Sequence, residues 1–450
     1  MEKVHKSLFF IALALIVYMP LHVFISQSAS LLTGGLEAWK AAKDVFIAVL
    51  VPILLYVGYK QGLHKSKYTQ ILAGLSVIYG LLHLGFVLFD QDDDTYSAIA
   101  GSVFNIRILV YLLLGIVVGS LPQAKTYMKH LLTAAVLIAS AVSVFGVAQY
   151  FLPPDLLENV GYSLERGVKP LFFIDDRADL PRVMSTLKDP NSYGAYLIIP
   201  ILLTGWTLMK KSDRAKLFSI HIAGSVLAVM LFVQLTAFVM TFSRGAFLGL
   251  VLSFVALLFL TQGHQMLQLL KKYWLILLAT VIALIGLLFV FRDSVLVQDY
   301  VFHAAVSSND LDPNAKRVSL QQEAVEDIFD MPLGYGPGSA GLIAISNPQG
   351  GILTENYYLQ IAYEVGLLGV SIFVAILFTV CLCLYKASNK QPIAVFMLAS
   401  FVGYAFYSLL IHLWSNEAVA LQWWLLCGVV LGVSIKTPGY DRPNIPKAHK

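Results

Sequence analysis

In the stretch Thr241-Phe242-Ser243-Arg244-Gly245, one arginine interrupts an apolar run that extends from Leu217 to Leu260. Arginine at the centre of a bilayer costs about 2.5–3.5 kcal/mol on insertion scales, so a compensating partner is expected. A diphosphate suits the part, because the guanidinium fork makes two parallel charge-assisted bonds to phosphate oxygens. Snorkelling to lipid headgroups or pairing with a local acid serves as well. A second arginine, Arg317, stands near the start of a polar segment and is placed to approach the same anion. A salt bridge to Glu323 or another acid is the more economical reading of that one residue.

Two carboxylates follow, in Thr354-Glu355-Asn356-Tyr357-Tyr358-Leu359-Gln360 and Ala362-Tyr363-Glu364-Val365-Gly366-Leu367-Leu368-Gly369. Acids at the mouth of a membrane helix are functional suspects. Nine residues separate Glu355 from Glu364, half a turn out of phase on a helix, so at most one of them faces a reaction. Between the arginines and these acids lies Leu333-Gly334-Tyr335-Gly336-Pro337-Gly338. Its glycines allow close approach to a ligand or a sharp turn, and no Lys-Ser or Lys-Thr follows to make a phosphate-binding P-loop. Arg107, after Asn105, reads either as a contact to a lipid-diphosphate headgroup or as a marker of the membrane boundary. Asp189-Pro190-Asn191 reads first as a helix cap.

Elements that could hold these groups are apolar helices. Hydrophobic residues make up 58% of the 450, charged residues 13%, and mean hydropathy is +0.74, which excludes an ordinary soluble enzyme. With roughly 20 residues per crossing, twelve spans are expected. They begin near Leu8, Val45, Thr69, Ile108, Leu131, Ser192, Leu217, Ala246, Trp274, Tyr358, Val395 and Leu421. The first runs too far for a cleaved signal peptide and reads as a retained helix. With the N-terminus cytoplasmic, 19 of the 31 Lys and Arg fall inside, which sets the expected orientation, and 24 of the 27 acids at or beyond the outer surface corroborate it. Both termini are then cytoplasmic. Two long loops lie outside, one over 153–191 and the other over 292–356. Sixty-five residues is too long for a mere connector, and the second loop is expected to hold an amphipathic helix from Asn314 to Phe329, capped by Asp312-Pro313, with Val318, Val325, Ile328 and Phe329 on one face. Trp39, Tyr150, Trp274, Tyr357, Tyr358, Trp414 and Trp423 sit near span ends, as an aromatic belt should. Cys381, Cys383 and Cys427 fall in apolar segments and suggest neither disulfide nor metal site.

Ser243-Arg244-Gly245, Arg317 ahead of its helix, the 333–338 glycine loop, Glu355-Asn356-Tyr357-Tyr358-Leu359-Gln360 and Glu364-Val365-Gly366-Leu367-Leu368-Gly369 together resemble the bacterial O-antigen ligase and polymerase family. The order and spacing match over 192–384, and Asp189-Pro190-Asn191 with Gly194 and Tyr196 resembles that family's entry to its sixth span. The resemblance implies an all-α polytopic membrane glycosyltransferase of GT-C-like fold, forming a single integral membrane domain over 1–450, in the bacterial cytoplasmic membrane with its active site outside. Its donor would be an undecaprenyl-diphosphate-linked glycan and its acceptor a glycan or lipid-linked hydroxyl. Membrane lipids, a flippase and a chain-length regulator are the implied partners; neither nucleic acid, metal nor other cofactor is implied. By that analogy Arg244 and Arg317 bind and neutralise the diphosphate, while Glu355 reads either as a general base towards the sugar hydroxyl or as a structural group that holds Arg317 or caps the tenth span. Arg107, Asn191, Gly336, Gly338, Asn356, Tyr357 and Glu364 complete the substrate site. Where ligases typically have His before the Asn of this motif, this chain has Glu355, which shifts the expectation from ligase towards polymerase. A ligase or oligosaccharyltransferase with a lipid, wall or protein acceptor is the alternative. A twelve-span secondary transporter is the third reading, against which stand the outer placement of the polar groups and the lack of repeated halves.

Overall fold

A computed structural model describes residues 1–89, 95–174, 177, 180–290, 313–345, 351–437 and 440. In chain order the helices are α1 (Glu2–Tyr18), α2 (His22–Thr33), α3 (Leu36–Lys60), α4 (Lys67–Phe89), α5 (Thr95–Ser120), α6 (Ala124–Gln149), α7 (Pro190–Met209), α8 (Arg214–Leu217), α9 (Gly224–Met240) and α10 (Arg244–Val290). They continue with α11 (Pro313–Asp330), α12 (Gly341–Ala344), α13 (Tyr357–Ser388), α14 (Pro392–Tyr407) and α15 (Gln422–Ile435). Among the described residues the only strands are a two-residue antiparallel pair, β1 (Phe172–Phe173) and β2 (Pro181–Arg182), with Phe172 opposite Arg182. Nine helical stretches among the described residues are long and apolar enough to cross a membrane, and α9 and α14 add two shorter apolar helices. The chain is therefore an all-α polytopic membrane protein. The expected cap at Asp312 and the acidic run Asp92-Asp93-Asp94 lie outside the described residues.

One expected span starts late. Leu217 ends the four-residue α8, and the apolar helix begins at Gly224. The intervening chain is diverted sideways, where the Ser219 amide donates to Thr133 Oγ1 on α6 at 2.9 Å. The Ala246 and Trp274 starts both fall in α10, which is broken at Gln262 (φ −137°).

Helices α5 and α15 pack backbone to backbone. Gly115 and Gly119 on one face Gly428 and Gly432 on the other, and a Cβ on Gly115 or Gly119 would stand 2.2 Å from the carbonyl oxygen of Leu425 or Val429. This reciprocal pair of small-xxx-small motifs lets two backbones touch in a lipid environment, where packing rather than the hydrophobic effect drives association.

Helix α13 is kinked at Val365 and Gly366 (φ 72°), and the glycine loop fills the break. The Tyr335 amide donates to Tyr363 O at 2.8 Å, the Gly336 amide to Glu364 O at 2.9 Å, and the Leu367 amide to Pro332 O at 3.0 Å. Two glycine-rich motifs that read separately in the sequence are thus one interlocking device. A Cβ on Gly366 would meet Pro332 O at 2.5 Å. Gly366→Ala should cost at least about 1–3 kcal/mol from backbone strain alone, read as a lower thermal midpoint of the purified protein; an unchanged midpoint would refute the interlock.

Two expectations about faces are corrected. Of the α11 residues placed on one face, Ile328 is buried with Ala324 against the body, whereas Val318 (54% exposed), Val325 and Phe329 (72%) point away from it. On the protein-facing side Leu320 and Ala324 cluster with Ala340, Ile352, Leu359 and Tyr363, and Ile328 is buried one turn further on. Alanine at the contact lets the helix lie close, so the bulkier apolar residues are left for the other side. Nor are Tyr357, Trp414 and Trp423 part of an aromatic belt: all three are fully buried. Trp414 meets Trp423 at 5.1 Å and Trp423 meets Trp424 at 5.2 Å, a cluster inside the bundle.

Candidate active site

Four helical segments begin at the same end of the bundle, each preceded by a capping residue. Asp189 accepts the Ser192 amide at 2.8 Å and so caps α7. Ser243 Oγ accepts the Ala246 amide at 3.3 Å at the start of α10. Asn356 Oδ1 accepts the Tyr358 and Leu359 amides at the start of α13, and Asn416 accepts the Val419 amide in the turn that leads into α15. These starts are tied together. Asn416 Nδ2 donates to Ser192 Oγ at 2.6 Å, Ser243 Oγ shares a hydrogen bond with Tyr407 Oη at 2.8 Å, and the Tyr357 amide donates to Ser408 O at 2.9 Å. Helix starts carry partial positive charge, so this end of the molecule favours anions.

Each residue of Ser243-Arg244-Gly245 has a separate task. Ser243 caps α10 and meets Tyr407. A Cβ on Gly245 would stand 2.2 Å from the Tyr407 ring, so glycine permits that packing. Arg244, the first residue of α10, is exposed. The turn before it is strained, with Phe242 at φ 48°, a left-handed conformation unusual for a bulky residue. Glu355 shares this trait at φ 49°. Such strain persists only where the surroundings enforce it, and it clusters at functional sites.

Arg317 reaches from α11 to Glu355: its Nε and Nη2 approach the same carboxylate oxygen, Oε2, at 3.1 and 3.0 Å. Of the acids open to Arg317 from the sequence, the structure selects Glu355 over Glu323. Gln321, one turn later, donates to Glu355 O at 3.3 Å and steadies the same residue.

Arg182, which sequence reasoning passed over as one more loop cation, joins the cluster. Its Nε donates to Thr241 O at 3.0 Å and its Nη2 to Asn191 Oδ1 at 3.1 Å, binding the 153–191 loop to the turn before Arg244. Arg182, Arg317 and Asp189 all lie within electrostatic reach of the Tyr407 hydroxyl. Tyr407 was likewise missed, since a tyrosine ending an apolar helix has no distinguishing pattern.

His412 meets the residue before Glu355, with Nε2 3.0 Å from Thr354 Oγ1. Because Thr354 has one hydroxyl proton and gives it to Asn356 O at 3.0 Å, the imidazole donates from Nε2. Burial, reinforced by the charge of Lys188, pushes its pKa down to about 3. An unfolded histidine takes up a proton near pH 6.5, so stability should be complete above that pH and fall as pH drops towards 3. Unfolding midpoints measured across this window should flatten in His412→Gln; an equally steep acid loss in the variant would exclude this contribution.

Other sequence candidates stand elsewhere. Glu364 is 1% exposed, and its carboxylate accepts from Asn105 Nδ2 at 2.6 Å and from the Gly338 amide at 3.1 Å. Gly336 and Gly338 are buried in that same interlock, and Tyr357 lies buried against Phe373. Arg107 is only 4% exposed and pairs with Asp44 at 3.1 Å and Glu417 at 3.2 Å. The structure therefore gathers Arg244, Arg317, Glu355, Asn191 and Asn356 at one end, while Glu364 and Arg107 belong to interior networks. Among the described residues no three His, Cys, Asp or Glu side chains converge as a metal-binding set.

Residues 229–374 match the family model for O-antigen ligase. The matched segment carries Arg244, Arg317, the glycine loop and Glu355, and it supports the family resemblance read from those motifs. It also supports a glycan-processing function at a membrane. No curated protein matches the chain.

Proposed function

We propose that the chain is a membrane glycosyltransferase that polymerises undecaprenyl-diphosphate-linked repeat units at the outer face of the bacterial cytoplasmic membrane. The observation that carries this reading is the pairing of Arg317 with a single oxygen of Glu355, beside the arginine-bearing start of α10. Arg317 engages only Oε2, and in this scheme Oε1 takes the proton. The hydroxyl of the acceptor sugar attacks the anomeric carbon of the donor and passes its proton to Glu355 Oε1. The bond from that carbon to the diphosphate oxygen breaks, and undecaprenyl diphosphate leaves with the electron pair. Arg244 and the outer edge of Arg317 stabilise the charge that develops there. Residues 153–191 and 292–356 lie extracytoplasmically in this scheme, with both termini in the cytoplasm.

Ligase activity towards a lipid, wall or protein acceptor is the second reading, favoured by the description of the matching family. Glu355 in place of the ligase histidine favours chain growth. Incubating the purified protein with defined lipid-linked repeat units and sizing the products separates the two: a ladder of lengths is expected. A single product on a foreign acceptor, with no ladder, would reject polymerisation.

A further inference from the structure

Helix α11 has three faces rather than two. At 3.6 residues per turn, Val318, Val325 and Phe329 fall within about 40° of one another, and all three are exposed. The buried side, with Ala324 and Ile328, lies about a third of a turn away in one direction, and Glu323, Glu326, Asp327 and Asp330 lie about a third of a turn away in the other. The apolar stripe does not stop with the helix, since Met331 and Leu333 are exposed as well, Leu333 by 77%. Single exposed apolar side chains are ordinary, whereas a contiguous run rimmed by charge marks an interaction surface.

What covers this run follows from where it ends. The Leu367 amide donates to Pro332 O at 3.0 Å, which pins the end of the run to α13 just beyond the kink. From there Leu367, Leu368, Val374 and Phe378 are exposed in sequence along a helix long and apolar enough to cross a membrane, and they form its lipid-facing stripe. After Leu367 no charged residue intervenes before Lys386, in the last turn of the helix. The nineteen steps between them rise about 29 Å, which matches the roughly 30 Å of a hydrocarbon core. Leu367 therefore stands at the limit of the hydrocarbon at the candidate-site end, and Pro332 and Leu333 stand there with it. The exposed run of α11 thus continues the lipid-facing surface of α13, while its acids are turned towards water. We propose that the end of α11, from Phe329 to Leu333, is a lipid anchor whose apolar side chains enter the headgroup–acyl boundary of the nearer leaflet, as in an interfacial amphipathic helix. Because Arg317 of the same helix pairs with Glu355, lipid holds one end of α11 and protein the other. This inference is independent of the transfer reaction proposed above.

The test uses the full-length protein in nanodiscs of phosphatidylethanolamine and phosphatidylglycerol, with the photocrosslinking residue p-benzoylphenylalanine replacing Phe329, Leu333, Val374 or Glu323 one at a time. Val374 reports the lipid-facing stripe of α13 and Glu323 the acidic face of α11, and all four side chains are exposed. Lipid adducts, identified by intact mass, are expected at Phe329 and Leu333 in yields comparable with Val374 and roughly tenfold above Glu323, as insertion of one helix face requires. Two independent positions keep the test open if one variant fails to fold. Crosslinks from Phe329 and Leu333 to another part of the chain or to a second copy, in place of lipid, would mean that protein covers the run and would overturn the anchor. Lipid yields at both positions no higher than at Glu323 would overturn it as well.

Discussion

Arg244→Ala should lower glycan transfer by about 10²–10³-fold, the loss typical of removing one preorganised donor from developing negative charge. The protein should nevertheless reach the membrane in normal amount. Arg244 is exposed, and the helix cap and the Tyr407 packing beside it are supplied by Ser243 and Gly245. Arg244→Lys should recover only part of the activity, because a point charge does not reproduce the two-pronged grip of guanidinium on phosphate. The assay is polymer yield and length normalised to membrane-inserted protein. Wild-type yield from the alanine variant would remove Arg244 from the reaction.

Glu355→Gln should be comparably severe for a different reason. A positioned base contributes about 10²–10⁴-fold, and the amide keeps the size of the side chain while losing its capacity to take the proton. Gln also avoids the confusion that Glu355→Gly would bring, since glycine would relax the left-handed backbone at φ 49°. Binding of a labelled lipid diphosphate should survive, since Arg317 keeps its guanidinium and loses only a competing anion. Because Arg317 and Glu355 touch, the double variant with Arg317→Ala should be far from additive. Undiminished turnover by Glu355→Gln would leave that carboxylate as a brace for α11 and nothing more.

How far the sequence discloses this arrangement depends on the kind of interaction. Hydropathy is a sum over many residues, so the helical membrane architecture is plain without coordinates. The turn at Thr241–Gly245 and the cap at Asp189 are local and equally readable. Partner choice is not local: Arg317 has several acids within reach of a one-dimensional argument, and only the seating of α11 through Ala324 selects Glu355. Arg182 is obscure for the same reason, since its partners Thr241 and Asn191 come together only once the 153–191 loop has folded back. The interlock of Gly336 and Gly338 with the kink at Gly366 was present in the composition of both motifs, but glycine content reveals that a backbone comes close without naming what it approaches.

The backbone contact between α5 and α15 has a consequence for biosynthesis. Roughly 300 residues separate the two helices in the chain, about 15–60 s of translation at ordinary rates. Throughout that interval α5 sits in the bilayer with its glycine stripe uncovered, and Arg107 on the same helix has Asp44 beside it but not Glu417. The bundle therefore closes around its last span, and the nascent chain needs shelter at the insertion machinery until then. Ribosome-stalled chains of increasing length would reveal this as protection of α5 that appears only after residue 435 has emerged; earlier protection would mean that another helix covers it in the meantime.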